Sequence, residues 1–241
     1  MTESRGQLIA VIGGAVAGAE MARTLADGGA EVVVFEQNRR PFGKIEDGLP
    51  RWHSALRTKE YERIVEKLDH PNIHFVPLTR VGRDFAFEDV ANGFSAVVLA
   101  CGAWRDRPLP VDDADRYLGK GLLYQNAFIV AFNHQDDPRW EGPPPDIADG
   151  AIVIGGGLAS IDVVKVLMLE TTRRALAERG IEVDIEQLEK TGIPRTLELH
   201  DLKWEDLGLE GATLFYRRRP EDMPLVEMPR DADDARREKI E

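Results

Sequence analysis

Two short glycine-rich runs have the spacing that phosphate chemistry needs. Gly13-Gly14-Ala15-Val16-Ala17-Gly18 follows the apolar run Leu8 to Ile12 and precedes an alanine-rich stretch at helical spacing. In a strand–turn–helix unit, such a run lets backbone approach a pyrophosphate, and the helix N-terminus supplies N–H groups and the positive end of its dipole. Gly13 and Gly18 hold the first and sixth positions of the dinucleotide fingerprint, and Ala15 stands where the third position wants glycine. Val16 and Ala17 open the helix between them. Glu36 ends the next apolar run, 23 residues after Gly13, where an acid accepts hydrogen bonds from a ribose. A glycine turn that only tightens a strand–helix junction would need no acid there.

The second run, Gly155-Gly156-Gly157-Leu158-Ala159-Ser160, starts 142 residues after the first. Its sixth position is Ser160, small enough for close helix–strand packing. The strand after its helix, Leu214 to Tyr216, ends without an acid and runs into Arg217-Arg218-Arg219. A 2′-phosphate needs that charge, so NADP(H) is favoured over NAD(H), although an arginine run also suits a solvated turn.

The elements that must position these turns are short. Leu8 to Ile12, Glu31 to Phe35, Ile73 to Val76, Ala96 to Ala100, Ala151 to Ile154 and Ala212 to Tyr216 read as strands. Helical spacing runs over Ala15 to Ala26, residues 56–68 and Ala159 to Leu169, with helix-like stretches near 172–179 and 185–190 in an otherwise polar region. On residues 56–68 the apolar positions Leu56, Tyr61, Ile64, Val65 and Leu68 are expected to share a buried face. The tail from Asp231 reads as an exposed helix or a frayed end. The expected fold class is α/β, with two Rossmann-like βαβ units.

Charge supports two units. Residues 1–110 carry a net charge of −1 and residues 111–241 a net charge of −11, with a Pro- and Asp-rich linker at Arg107 to Asp115. The total of −12 disfavours nucleic acid and anionic membranes as partners. No apolar run is long enough for a membrane span, and the N-terminus lacks a secretory signal. Cys101 is the single cysteine, which excludes an intrachain disulfide, a CxxC pair and a cysteine-ligated cluster. A reducing cytoplasm fits, and any redox chemistry must come from a bound cofactor. His70, His74, His134 and His200 show no ligand spacing, so no metal site is expected.

The order of these segments resembles the two-dinucleotide flavoprotein superfamily, whose first site holds FAD and whose second holds NAD(P)H. Val97-Val98-Leu99-Ala100-Cys101-Gly102-Ala103 resembles its ATGA turn, with Cys101 in place of threonine, which implies that Gly102 and Ala103 lie near the cofactor. Pro41-Phe42-Gly43 with Gly48-Leu49-Pro50 is similar to the flavin-side loop of the NADPH–adrenodoxin (ferredoxin) reductases and the glutamate synthase small subunit. Gly121-Leu122-Leu123, Ala127 to Asn133, Ile161-Asp162-Val163 and Tyr216-Arg217-Arg218 with Met223-Pro224 resemble other parts of the same reductases. The resemblance spans most of residues 7–228. It implies an FAD-binding portion over 1–110 and an NADP(H)-binding portion over 111–241, with Gly43 and Gly48 on the flavin side. It also implies a fold incomplete at the C-terminus, since nothing here matches the segment that closes the flavin site. Either the chain is a fragment or a partner chain would supply that segment.

Other residues leave choices open. His53 falls where the reductases carry a histidine near the flavin, and it also reads as a surface histidine beside Trp52. It would tune the site or relay protons at most, because hydride transfer needs juxtaposition rather than a base. Cys101 is expected to be a small buried thiol, and Trp104 to pack on core or cofactor, with core favoured. Arg51, Arg57, Lys59 and Arg63 form a candidate docking patch for a ferredoxin-like carrier. The function implied is passage of hydride from NADPH to FAD, with electrons going on to such a carrier or a partner domain. A nucleotide-binding subunit or fragment without activity of its own is the alternative. A plain dehydrogenase needs only one fingerprint, and a flavin monooxygenase matches the second region less well.

Overall fold

The computed structural model describes residues 6–224. The chain forms two compact units, Met1–Asp112 and Asp113–Glu241. The expected tail from Asp231 lies outside the described residues.

The first unit runs β1 (Leu8–Ile12), α1 (Val16–Asp27), β2 (Glu31–Phe35), α2 (Lys44–Asp47), α3 (Ser54–Leu68), β3 (Ile73–Val76), α4 (Phe87–Gly93) and β4 (Ala96–Leu99). The strands form one parallel sheet in the order β3-β2-β1-β4. This is the order of a mononucleotide-binding half, with its crevice where the order reverses beside β1. On one face Ile9, Val11, Val32 and Val34 pack against Ala22 and Ala26 of α1. Val11, Val32 and Val34 are fully buried, each stabilising by about 1.5–3 kcal/mol relative to exposure. On the other face Phe35 meets Phe85 and Phe94 edge-on, with centroids 5.0 and 5.9 Å away.

Only part of the expected α3 face is buried. Ile64 is 2% exposed, while Leu56 and Val65 are 46% and 53% exposed. The inward row runs through Arg57, Tyr61, Ile64 and Leu68, spaced four, three and four residues apart, which keeps one face of a 3.6-residue helix. Leu56 and Val65 lie off that row.

The second unit runs α5 (Gln125–His134), β5 (Ala151–Ile154), α6 (Leu158–Ala177), α7 (Ile185–Thr191), α8 (Ile193–Glu198), α9 (Trp204–Leu207) and β6 (Ala212–Phe215). Helix α6 continues eight residues past the expected end at Leu169. The polar run that suggested a stop is buried and satisfied inside the helix. Thr171 Oγ1 donates to the Leu167 carbonyl at 2.8 Å, and Thr172 Oγ1 to Met168 at 2.7 Å. Glu170, 1% exposed, accepts from Arg173 at 2.7 Å and from Gln135 at 3.2 Å. The region after it is a packed layer: Ala175, Leu176, Leu197 and Leu207 form a core with Ile193 and Trp204 against it.

Strands β5 and β6 pair in parallel, Ile152 opposite Thr213 and Ile154 opposite Phe215. Ile152, Ile154 and Phe215 are 55–66% exposed on one face of that pair. Parallel strands normally bury both faces.

Asp149 ties the approaches to these two strands together. Its Oδ2 accepts the Glu210 N–H and its Oδ1 the Gly211 N–H, both at 2.8 Å. The Glu210 bond is the main cause holding its carboxyl below the usual carboxylate range. A depressed folded pKa stabilises above the unfolded value, and the contribution fades as pH falls through the folded value. Asp149→Asn should therefore lower Tm at pH 7 by about 3 °C, the equivalent of about 1 kcal/mol for exposed charge-assisted bonds. The difference from wild type should shrink below about pH 4. Thermal unfolding by circular dichroism at both pH values checks this, and an unchanged Tm at pH 7 would exclude the tie as a stabilising element.

Candidate functional site

A cavity of about 600 Å³ opens at the C-terminal ends of β1, β2 and β4. That volume lies within the range of ligand sites, and the place is where a doubly wound sheet binds nucleotides. Its floor is the first glycine turn. Gly13 stands at φ 100°, and a Cβ there would lie 2.5 Å from the Ala100 carbonyl oxygen. A side chain on Gly18 would collide with the Gly13 carbonyl. Only glycine lets α1 sit this close to the turn, which presents the N-terminus of α1 to the cavity.

Ala15 is the N-cap residue of α1 and lines the cavity with Val16 and Ala17. Its methyl group is accommodated by Gly43, where an added Cβ would stand 2.9 Å from it. Gly43 has φ 49° and begins the short α2 over the turn. The loop around it is anchored from outside. Phe42 stacks on Tyr61 at 3.9 Å, and Arg57 donates to the Glu46 carbonyl at 2.9 Å. The departure from glycine at the third fingerprint position is thus matched by a glycine facing it.

Glu36 is 5% exposed and lines the cavity. Its Oε2 accepts the Gly14 N–H and its Oε1 the Asn38 N–H, both at 2.9 Å. A carboxylate has about four lone-pair sites, so two backbone bonds leave acceptor capacity for a ribose diol. Gly102 also lines the cavity. Gly18, Gly48 and Ala103 do not; Gly18 supports the turn from behind and Gly48 ends α2.

His53 is the N-cap residue of α3, half-buried, with its ring 6.1 Å from that of Trp52, and it is not part of the cavity lining. Cys101 is exposed, not buried, and lies on the cavity wall. Trp104 lines the cavity rather than the core, with Lys44 Nζ 5.8 Å from its ring centroid. Sequence reasoning also passed over Thr79, Arg80 and Arg105 in the lining. The first two were findable, since residues just past the end of a parallel strand border the crevice.

Of the expected basic patch, Lys59 and Arg63 are exposed and Arg57 is not. Arg57 turns inward to Tyr61 and Glu46, and Arg63 pairs with Glu60 at 2.6 Å. Among the described residues, no group of three or more His, Cys, Asp or Glu is placed to hold a metal ion, and no helix is long and apolar enough to cross a membrane.

The second glycine turn repeats the first in outline. Gly157 is the N-cap residue of α6, and an added Cβ there would meet nothing within 4 Å, which leaves the close approach open. A Cβ on Gly155 would collide with the Ser160 hydroxyl, so helix and turn are again in contact. Leu158 is 59% exposed and Ala159 is exposed beside it. Arg217, Arg218 and Arg219 are exposed past the end of β6.

Known proteins resemble this chain over part of their length. The chain is 31% identical over 165 residues to the glutamate synthase [NADPH] small chain of Mycobacterium tuberculosis, covering 65% of this chain and 32% of that one. It is 24% identical over 149 residues to the mitochondrial NADPH:adrenodoxin oxidoreductase of Arabidopsis thaliana, covering 61% and 30%. The chain is thus similar in sequence to both proteins over those lengths. The solved structure of FprA, an oxidoreductase of Mycobacterium tuberculosis, superposes with a TM-score of 0.60 at 24% identity, covering 68% of this chain and 37% of FprA, and so shares the fold. The chain spans about a third of the length of these relatives. No family model matches it.

Since Cys101 is the only thiol in the chain and is exposed at the cavity wall, the native protein should take up one maleimide per chain without denaturant. Mass spectrometry reads the label. Labelling only after unfolding would return Cys101 to the core.

Proposed function

We propose that the chain is the nucleotide-binding part of an FAD-dependent NADPH oxidoreductase, with FAD in the first unit and NADP(H) in the second. The observation that carries this reading is the cavity of the first unit, where the glycine turn, the N-terminus of α1 and Glu36 converge. Ala15, Val16 and Ala17 would take the pyrophosphate on backbone N–H groups over the close approach that Gly13 allows, and Glu36 would take the ribose. Gly43, Gly102 and Trp104 would border the rest of the ligand. In the second unit Gly155, Gly157, Leu158, Ala159 and Ser160 would form the phosphate turn, and Arg217 and Arg218 would read a 2′-phosphate.

Held by these residues, FAD would supply the redox chemistry that links the two electrons of NADPH to a ferredoxin-like carrier or a partner domain. The chain's own contribution is binding and orientation. No proton step is assigned to His53, which stands off the cavity. A reducing cytoplasm suits the single exposed thiol.

A second reading, a subunit or fragment that binds nucleotide within a larger redox assembly, is favoured by one observation. Ile152, Ile154 and Phe215 leave an apolar sheet face open in the second unit, as a surface awaiting cover would be.

The purified chain mixed with FAD should show protein-bound flavin by its absorption and quenched emission, and NADPH should bleach it. FAD should also slow maleimide labelling of Cys101, while FMN should not. Glu36→Gln should weaken FAD binding roughly tenfold, the cost of one lost charge-assisted bond. A chain that leaves FAD free in solution would sink the first-unit assignment. Flavin that binds but resists NADPH would favour the subunit reading.

A further inference from the structure

We infer that Tyr216 is the positioning residue that fits the second turn to a 2′-phosphate, at the place where the first turn holds an acid. The inference rests on the reading of the second unit as a coenzyme site.

The two turns can be aligned by backbone hydrogen bonds alone. Gly13 N–H donates to the Phe35 carbonyl at 2.8 Å, and Gly155 N–H to the Phe215 carbonyl at 3.0 Å. The next residues, Glu36 and Tyr216, therefore occupy the same place. Each closes on the middle glycine of its turn. Glu36 takes the Gly14 N–H through its carboxylate. The ring of Tyr216 lies over Gly156, where a Cβ would collide with its Cδ2 and Cε2.

The exchange changes what the site can accept. A carboxylate offers acceptors to a ribose diol and repels a phosphate; an aromatic ring does neither. Tyr216 is also held in place, because its hydroxyl donates to the Asp222 carbonyl at 2.8 Å. The guanidinium carbon of Arg218 lies 5.5 Å from its ring centroid. A guanidinium resting on a ring keeps its donors free for a phosphate while losing some side-chain freedom beforehand. Arg219 is already committed, with its Nε 3.5 Å from the Asp222 carboxylate. Arg217 and Arg218 make no ion pair among the described residues, and both are exposed. Tyr216 thus removes the acid and seats one of the two available arginines.

The test uses the full chain and measures NADP⁺ and NAD⁺ affinities by calorimetry, with 2′,5′-ADP and 5′-AMP as smaller probes. Circular dichroism and Tm report folding. The wild type should prefer the phosphorylated ligand in both pairs. Tyr216→Phe keeps the ring and should keep that preference within about twofold. Tyr216→Leu should weaken NADP⁺ about fivefold and leave NAD⁺ unchanged, the scale of an exposed cation–π contact. Tyr216→Glu should weaken NADP⁺ by roughly tenfold or more, since the new carboxylate pairs with the arginines and faces the phosphate. Equal weakening of both coenzymes in the Leu variant would reduce Tyr216 to a packing residue and overturn the inference. A wild type that binds both coenzymes without preference would overturn it while leaving the coenzyme site standing. Binding of neither would remove the coenzyme site itself.

Discussion

The close approach of α1 to the turn after β1 is the constraint on which the first unit depends. A Cβ on Gly13 would strike the Ala100 carbonyl, and one on Gly18 would strike the Gly13 carbonyl. The absence of both side chains lets helix, turn and β4 meet at one point. Three consequences follow from that contact. The N-terminus of α1 is aimed at the crevice, the Gly14 N–H is left for Glu36, and the loop carrying Gly43 can close on Ala15. Because the contacts are backbone to backbone, side-chain motion cannot relieve a misfit there.

The second unit solves the same geometry with different partners. Ser160 fills the place of Gly18, and Tyr216 that of Glu36. Arginines then follow where the first unit continues with Gln37 and Asn38. The sheet faces diverge as well. Phe35 is covered by Phe85 and Phe94, while its counterpart Phe215 is 55% exposed. One local motif thus supports two electrostatic environments, and what differs is decided by the residues that follow the second strand of each.

Much of this was legible in the residues. The strand bounds at Leu8–Ile12, Glu31–Phe35 and Ala151–Ile154 follow from apolar runs that stop at glycine or at a charge, and the first parallel pairing follows from the crossover helix between β1 and β2. The length of α6 was not, because Glu170, Thr171 and Thr172 read as a polar break until their burial and their bonds to the preceding turn are seen. The short helices over 44–47 and 87–93 were also illegible, since neither is long enough to show a periodicity.

By itself the sequence determined the two glycine turns, the acid after one and the arginines after the other. Those features are local, and a strand, a tight turn and a helix are specified by residues within one short stretch of chain. Only the tertiary structure decided which distant residues share the cavity. Arg57 turns inward because Tyr61 and the Glu46 carbonyl take its donors. Cys101 is exposed at the cavity wall, and Trp104 lines the same cavity beside Lys44. Exposure depends on what arrives from elsewhere in the chain, and residue type at one position carries no record of that.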